Sequence, residues 1–382
     1  MIKEETRMDF TVNVETFTRE LGMAIGAVER RALTVPALSH VLLDARDGAL
    51  RIMATDLDIA IRTRCAAHVA QPGSCAVLGH KLLDYVRLLP SDMDMRITRN
   101  NGERAEVACG GARARIPSLD ARDYPELPAM SEDGVEIPVD VLGTMINRTQ
   151  FAIPPAKSLI MSRFYGLLRV APRKAVMVAT DGHRLAYVEA PLSVDSVPER
   201  LREILFPKRA AVELLRLCRE AAGGETVRVA FANSHLFFAV AGREMLCRAV
   251  EDKFPEFERA LPKSAKHVAT IDREHLMVAI ERALQFSDRE RRFVRMELAQ
   301  GELRIIGADQ DAGESEEAIE CSYRGDGLVF GINGGYVLDF LRAVRCAEVE
   351  IRGNDARSAV EFGPLQDGDG WFYRYIVMPM RL

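Results

Sequence analysis

The sequence predicts an α+β fold built as three similar domains in a row, each with helices on one face of an antiparallel sheet. Three observations predict it. A short motif occurs in each third of the chain, as Ala54-Thr55-Asp56-Leu57, Ala179-Thr180-Asp181-Gly182 and Gly307-Ala308-Asp309-Gln310. Its aspartates lie about 127 residues apart, far beyond the few tens of residues of a solenoid repeat. Each copy closes an apolar run of strand character: Leu50-Arg51-Ile52-Met53, Val176-Met177-Val178 and Leu303-Arg304-Ile305-Ile306. An independent marker, the acid on the second helix of each third (Asp84, Glu213, Asp339), keeps nearly the same spacing. One folding unit copied threefold accounts for all three.

The first third opens on a strand pattern at Phe10-Thr11-Val12. A helix follows whose Phe17, Leu21, Ala24, Ile25 and Val28 fall on one face. Strands are expected at 41–43, 50–54 and 59–61, with Asp47-Gly48 as a hairpin signal between the first two. A second helix over 81–89 turns Leu82, Leu83, Val86 and Leu89 inward and Lys81 and Arg87 outward, and Pro90 stops it. Strands at 95–98, 104–108 and 112–116 complete the unit. The second third repeats the order: a strand at 135–137, a helix carrying Val141, Leu142, Met145 and Ile146, and strands at 165–170 and 175–179. A helix over 208–218 then offers Val212, Leu215 and Leu217 for packing, and strands follow at 227–230, 236–240 and 244–249. In the last third, a strand at 267–271 leads to a helix with Leu276, Ile280, Ala283 and Leu284. Strands at 294–298 and 303–306 and a helix over 336–344 come next. The expected division is an N-terminal extension over 1–7 and domains over 8–131, 132–262 and 263–382. Exposed edge strands at the two ends of such a row are hazards unless paired. A two-fold partner can close the row into a ring.

Composition narrows the function. A chain of 382 residues with 48% hydrophobic and 28% charged residues is an ordinary soluble globular protein. No stretch approaches the roughly eighteen uncharged apolar residues of a membrane span. The charged start Met1-Ile2-Lys3-Glu4-Glu5-Thr6-Arg7 is no secretory leader. The expected location is the cytoplasm. Seven scattered cysteines show no paired metal-ligand spacing, so buried free thiols are expected and neither metal nor cofactor. The net charge of −5 argues against binding nucleic acid with the whole surface, though not against cations gathered on one face. No catalytic residues are expected: Asp181, His183 and Ser162 would be the only hydrolytic set, and no nucleophile elbow, P-loop or dinucleotide fingerprint accompanies them.

The chain resembles the bacterial DNA sliding clamps, the β subunits of DNA polymerase III, over residues 8–382. The resemblance rests on Met8-Asp9-Phe10-Thr11-Val12, Ala54-Thr55-Asp56-Leu57, the run from Val178 through Thr180, Asp181, Gly182, His183 and Arg184 to Ala186, Tyr336-Val337-Leu338-Asp339, and the terminal Val377-Met378-Pro379-Met380-Arg381-Leu382. It implies three clamp domains per protomer and a head-to-tail homodimer, a ring of pseudo-sixfold symmetry. Such a ring encircles duplex DNA without sequence preference and tethers the replicative polymerase as a non-catalytic processivity subunit without 3′–5′ exonuclease activity. The alternative is a clamp paralogue with a specialised repair or drug-resistance role.

A ring that holds DNA yet slides needs cations aimed at phosphates and few base contacts. The DNA-facing candidates are Arg30, Arg31, Lys81, Arg87, Arg148, Lys157, Arg163, Lys208, Arg209, Arg216, Arg282 and Arg342. One basic residue on a helix is merely solvated; recurrence on all three second helices points to DNA. Ser162 and Arg163 stand where the family often carries aromatic residues, which moves a DNA role to Lys157 and Arg163. The resemblance also implies a pocket that takes short linear peptides of the polymerase, clamp loader and repair factors. Its matching positions are Phe164, Thr180, Gly182, His183, Arg184, Leu185, Pro255, Arg259, Asn333, Tyr336, Val360, Ile376, Val377, Met378, Pro379, Met380, Arg381 and Leu382. Met, Val, Leu and Pro suit an adaptable apolar groove, with Arg and His able to hold peptide carbonyls. For the ring-closing interface, the matching positions set Lys81, Arg113 and Ile116 against Phe286, Glu316, Glu317 and Glu320.

Overall fold

A computed structural model of the chain describes residues 7–30, 34–100, 102–131, 133–154, 165–323 and 325–382. The same order of elements occurs three times. The first copy runs β1 (Met8–Asn13), α1 (Val14–Ala24), β2 (His40–Arg46), β3 (Ala49–Thr55), β4 (Ile59–Ala66), β5 (His68–Gln71), β6 (Gly73–Leu78), α2 (Gly79–Val86), β7 (Asp94–Arg99), β8 (Arg104–Cys109) and β9 (Ala112–Asp120). The second runs β10 (Gly134–Pro138), α3 (Val139–Thr149), β11 (Tyr165–Ala171), β12 (Lys174–Thr180), β13 (Arg184–Pro191), β14 (Glu203–Pro207), α4 (Lys208–Arg219), β15 (Thr226–Ala232), β16 (His235–Val240) and β17 (Arg243–Arg248). The third runs β18 (His267–Asp272), α5 (Arg273–Ala283), β19 (Phe293–Ala299), β20 (Glu302–Asp309), β21 (Gly313–Glu320), β22 (Ser322–Tyr323), β23 (Leu328–Asn333), α6 (Gly334–Ala343), β24 (Glu348–Gly353), β25 (Val360–Pro364) and β26 (Phe372–Val377).

Pairing repeats with the order. The opening strand of each copy pairs antiparallel with the strand after its second helix, β1 with β7, β10 with β15 and β18 with β24. The strand after each first helix pairs with the strand before each second, β2 with β6, β11 with β14 and β19 with β23. Local chemistry agrees with these elements. Asn13, Asp272 and Asn333 cap α1, α5 and α6, each side-chain oxygen accepting from a backbone N–H three residues on. The β2–β3 hairpin turns on Asp47 and Gly48, both at positive φ, the conformation its two-residue loop demands.

The chain divides into two compact units: 1–140 with 213–249, and 141–212 with 250–382. In the first, thirteen strands form one sheet, ordered β10-β15-β16-β17-β4-β3-β2-β6-β9-β8-β7-β1-β5. Its core includes Phe10, Phe17, Leu21, Leu43, Leu50 and Phe237, all fully buried. The second holds a nine-stranded sheet, β14-β11-β12-β13-β26-β25-β24-β18-β22, and a four-stranded one, β21-β20-β19-β23. There Phe340 stacks on Tyr375, with ring centroids 5.6 Å apart and planes 5° from parallel.

Several elements differ from expectation in detail. The second helix of the first copy starts at Gly79 and ends at Val86, so Arg87 is its C-cap rather than an interior position. On α4 the buried face is Ala210, Ala211, Leu214, Leu215, Leu217 and Cys218, while Val212 is 42% exposed. Ala210, Ala211, Leu214, Leu217 and Cys218 recur at helical spacing and set the inner face, and Val212 falls off it.

Cys65, Cys75, Cys109, Cys218 and Cys247 are buried free thiols. Burial pushes Cys75, Cys218 and Cys247 up to about 12 and Cys65 to about 11. Treating the native protein at about pH 8 with an alkylating reagent should therefore modify the half-buried Cys321 and Cys346 first. Mass-spectrometric detection of Cys247 modified at a comparable rate would contradict this.

Candidate functional site

The motif that recurs in the sequence is a turn between two strands, and its residues build it. In the second copy the Thr180 hydroxyl donates to the Arg184 carbonyl at 2.7 Å and accepts from the Gly182 N–H at 3.1 Å. One oxygen of Asp181 accepts from the His183 and Arg184 N–H groups, both at 3.0 Å. Gly182 sits at φ +85, which a glycine adopts without strain. The first copy repeats every bond, with Thr55 on the Ile59 carbonyl and Asp56 accepting from Asp58 and Ile59, but holds Leu57 at φ +76. In the third copy Asp309 accepts from Asp311 and Ala312 in the same way. By this register Ile59, Arg184 and Ala312 are equivalent positions.

Arg184 makes the second copy's turn distinct. Its Nε donates to Asp181 at 2.9 Å, one Nη to Asp339 at 2.6 Å and the other to the Phe151 carbonyl at 2.7 Å. The guanidinium carbon lies 4.1 Å from the centre of the Tyr336 ring. Burial opposes its charge, but Tyr375, Asp339 and Asp181 more than offset this and raise its pKa above the ordinary arginine value. Nearby, the Lys208 ammonium donates to the Ile153 carbonyl at 2.7 Å, and burial, helped by Arg184, lowers its pKa. Arg184 thus ties the turn to α6, whose cap Asn333 also donates to the Arg291 carbonyl. The sequence showed Arg184 as a rim cation and Asp339 as a register marker; that they are partners was legible only in that both belong to repeated positions.

Around this turn the C-terminal segment is strapped down. Strand β26 pairs with β13 from Arg184 opposite Val377 to Glu189 opposite Phe372. Beyond it, Met378 N–H donates to the His183 carbonyl and Met380 N–H to the Gly331 carbonyl, both at 2.8 Å. Gly331 admits the tail because a side chain there would meet Phe293 and the Met380 carbonyl. Leu185, Val360, Ile376 and Val377 are covered and form a floor, with Val176, Val178, Leu205 and Phe257 beside Leu185 and Ile376. Gly182, His183, Pro255, Arg259, Met378, Arg381 and Leu382 are exposed above, and Thr180, Asn333, Tyr336, Pro379 and Met380 are half-buried. Phe164 lies outside the described residues.

Of the cations expected to face DNA, Arg30, Lys81, Arg87 and Arg209 are exposed. Arg282 and Arg342 are also exposed but stand beside acids, Glu317 at 3.3 Å and Glu281 at 2.7 Å. Arg216 donates to the Gly22 and Met23 carbonyls and so caps the C-terminus of α1. Arg148 is the clear correction: it forms a two-pronged pair with Asp367 at 2.8 and 2.7 Å and lies over Trp371 and Tyr373, only 12% exposed. A guanidinium so neutralised and covered offers nothing to a phosphate. Arg31, Lys157 and Arg163 lie outside the described residues.

The joins between copies follow one rule. The third strand of the first three-strand run in one copy meets the last strand of the next, β4 with β17 inside the first unit and β13 with β26 inside the second. The first join adds Glu20 to Arg243 at 2.7 Å, buried, and Arg62 to Glu244 at 2.9 Å. Two equivalent strands have no such neighbour among the described residues. Strand β21 pairs only with β20, and residues 112–117 of β9 only with β8. Glu314, Glu316 and Glu320 are exposed on the first edge; Arg113 and Arg115 are 76% and 73% exposed on the second and share one carboxylate, Glu106. Ile116, expected as the apolar member of this surface, is instead buried within its own sheet, because alternate residues of β9 face the core. Phe286 and Glu317 are half-buried.

Three consecutive copies of one α+β unit joined strand to strand are the architecture of the DNA sliding clamps. Crystal structures of the sliding clamp from Pseudomonas aeruginosa are similar over 98% of this chain and all of theirs, at 29% identity with TM-score 0.83 and, for one bound to griselimycin, 30% with TM-score 0.85. The beta sliding clamps of Pseudomonas putida and Escherichia coli are each 30% identical over 98% of this chain and their whole length. The N-terminal, central and C-terminal domains of the DNA polymerase III beta subunit match residues 8–128, 136–256 and 258–381. The chain belongs to the DNA polymerase III beta subunit family, whose members are processivity factors rather than catalytic subunits.

Proposed function

We propose that two copies of this chain close head to tail into a ring of six repeated domains that encircles duplex DNA and tethers the replicative polymerase. The domains are taken as 8–131, 132–262 and 263–382. The two leftover edges carry the proposal: the acidic β21 and the arginine-bearing β9 hold the positions that are already paired with one another at both joins inside the chain. Opposite charge on them favours joining two copies head to tail and disfavours like edges meeting. Arg30, Lys81, Arg87 and Arg209, with Arg282 and Arg342, are the cations offered to phosphates. Arg31, Lys157 and Arg163 stay in the set from the sequence alone. The Arg184-braced turn with the 378–382 tail is offered as the dock for linear peptides of the polymerase, loader and repair proteins. The griselimycin complex of the similar clamp from Pseudomonas aeruginosa supports a ligand-binding groove in this family. Among the described residues no helix is long and apolar enough to cross a membrane, and the cytoplasm, where the chromosome lies, is the inferred location.

The test is topological. Loaded by its clamp loader onto nicked circular DNA, the protein should remain bound through gel filtration and leave when the circle is linearised. Equal retention on both forms would overturn the ring.

A further inference from the structure

The acids that mark the second helices each face the preceding copy where the chain shows it. Asp339 on α6 takes the Arg184 guanidinium, and Glu213 on α4 lies so close to Gly26 that a side chain there would overlap its carboxylate. The third member, Asp84 on α2, is exposed and has no hydrogen bond or ion pair among the described residues. The first copy has no predecessor in its own chain.

The third copy has no successor, and there the Arg184 position is Ala312. Around it opens a cavity of about 590 Å³ lined by Leu284, Gln285, Asp288, Arg289, Asp309 and Ala312, with Ser287 and Arg292. It is the Arg184 socket of the third copy without its arginine. Asp309 stands where Asp181 stands, and Gln285 follows α5 as Phe151 follows α3. Two guanidiniums border it. That of Arg292 rests against Gly335, whose added side chain would come within 2.8 Å of its Nε. Arg289 is exposed and has no partner among the described residues.

We propose that this cavity receives the second helix of another copy of the chain, with Arg289 taking the place of Arg184 and pairing with Asp84 of the partner subunit. The charges match: on one side an exposed acid at the repeat position whose relatives Glu213 and Asp339 face the preceding copy, on the other an exposed guanidinium at the rim of the cavity. Helix α2 also explains why Arg184 is not simply repeated. It carries Lys81 where α6 carries Tyr336, so a guanidinium rooted at 312 would face a cation instead of a ring. An arginine entering from 289 can approach Asp84 from another side.

This inference rests on the dimer proposed above, and sedimentation equilibrium on the full chain separates the two. Arg289→Glu and Asp84→Arg should each raise the dimer dissociation constant at least about tenfold, and together return it to within about threefold of the parent. Both residues are exposed, and an unchanged melting temperature of each variant's monomer confirms that folding is intact. Single variants within about twofold of the parent, or a double variant no better than the weaker single, overturn the pairing while leaving the dimer standing. A parent chain that is monomeric at micromolar concentration overturns the dimer itself.

Discussion

Arg184→Ala lowers the stability of the second compact unit by about 3 kcal/mol, the range seen when one partner of a buried ion pair is removed. The loss has named parts. Asp181 keeps its backbone bonds but loses its cation, Phe151 loses a donor to its carbonyl, and the Tyr336 ring loses the plane above it. Asp339 is 37% exposed and regains water, which keeps the cost from being larger. Arg184→Lys restores little, because one ammonium cannot span three acceptors and cover a ring. Trp371 is the only tryptophan of the chain, and the Arg148 guanidinium lies 5.1 Å from its ring, so urea unfolding followed by tryptophan fluorescence reports on this unit. A midpoint unchanged in Arg184→Ala would show that the network is ornamental. The same variant should bind polymerase-derived peptides more weakly, since the turn carrying His183 would no longer be fixed to α6.

Removing residues 378–382 weakens binding of a polymerase-derived peptide at least about 100-fold, as expected when a hot-spot surface worth near 3 kcal/mol is deleted. The tail hangs on two backbone hydrogen bonds, to His183 and Gly331, and lies beyond the last rung of β26 at Val377. Its loss leaves the β13–β26 ladder and the floor residues in place, so the truncated chain should still dimerise. Fluorescence anisotropy with a labelled peptide measures the first effect and light scattering the second. Full peptide affinity in the truncated chain would remove the tail from the dock.

The repeat was legible in the sequence because two unrelated signals, a turn motif and a helix acid, kept one spacing, and turn chemistry leaves little freedom in what Thr-Asp-Gly can do. Helix edges and faces were less so. Val212 and Arg148 illustrate the reason: periodicity says which residues share a face, and tertiary packing alone decides whether that face meets core, water or an acid far along the chain such as Asp367. Matching position alone places Ile116 on a surface, yet the alternation of β9 buries it. The lining of the dock was carried by resemblance more than by chemistry, since the same apolar tail could merely finish a strand. The socket at Ala312 was beyond sequence reasoning, because a void is defined by what surrounds it.

The continuity of β4 with β17 and of β13 with β26 within one polypeptide has a mechanical consequence for a closed pair. Of its six seams, four lie within a chain, two in each, and stay together through any fluctuation short of unfolding. Only the two seams between chains are separable, so they are the gate through which a closed circle of nucleic acid must pass. In the head-to-tail pair proposed above, those seams would set the glutamates of β21 against the arginines of β9, so opening should become easier as the ionic strength of the medium rises.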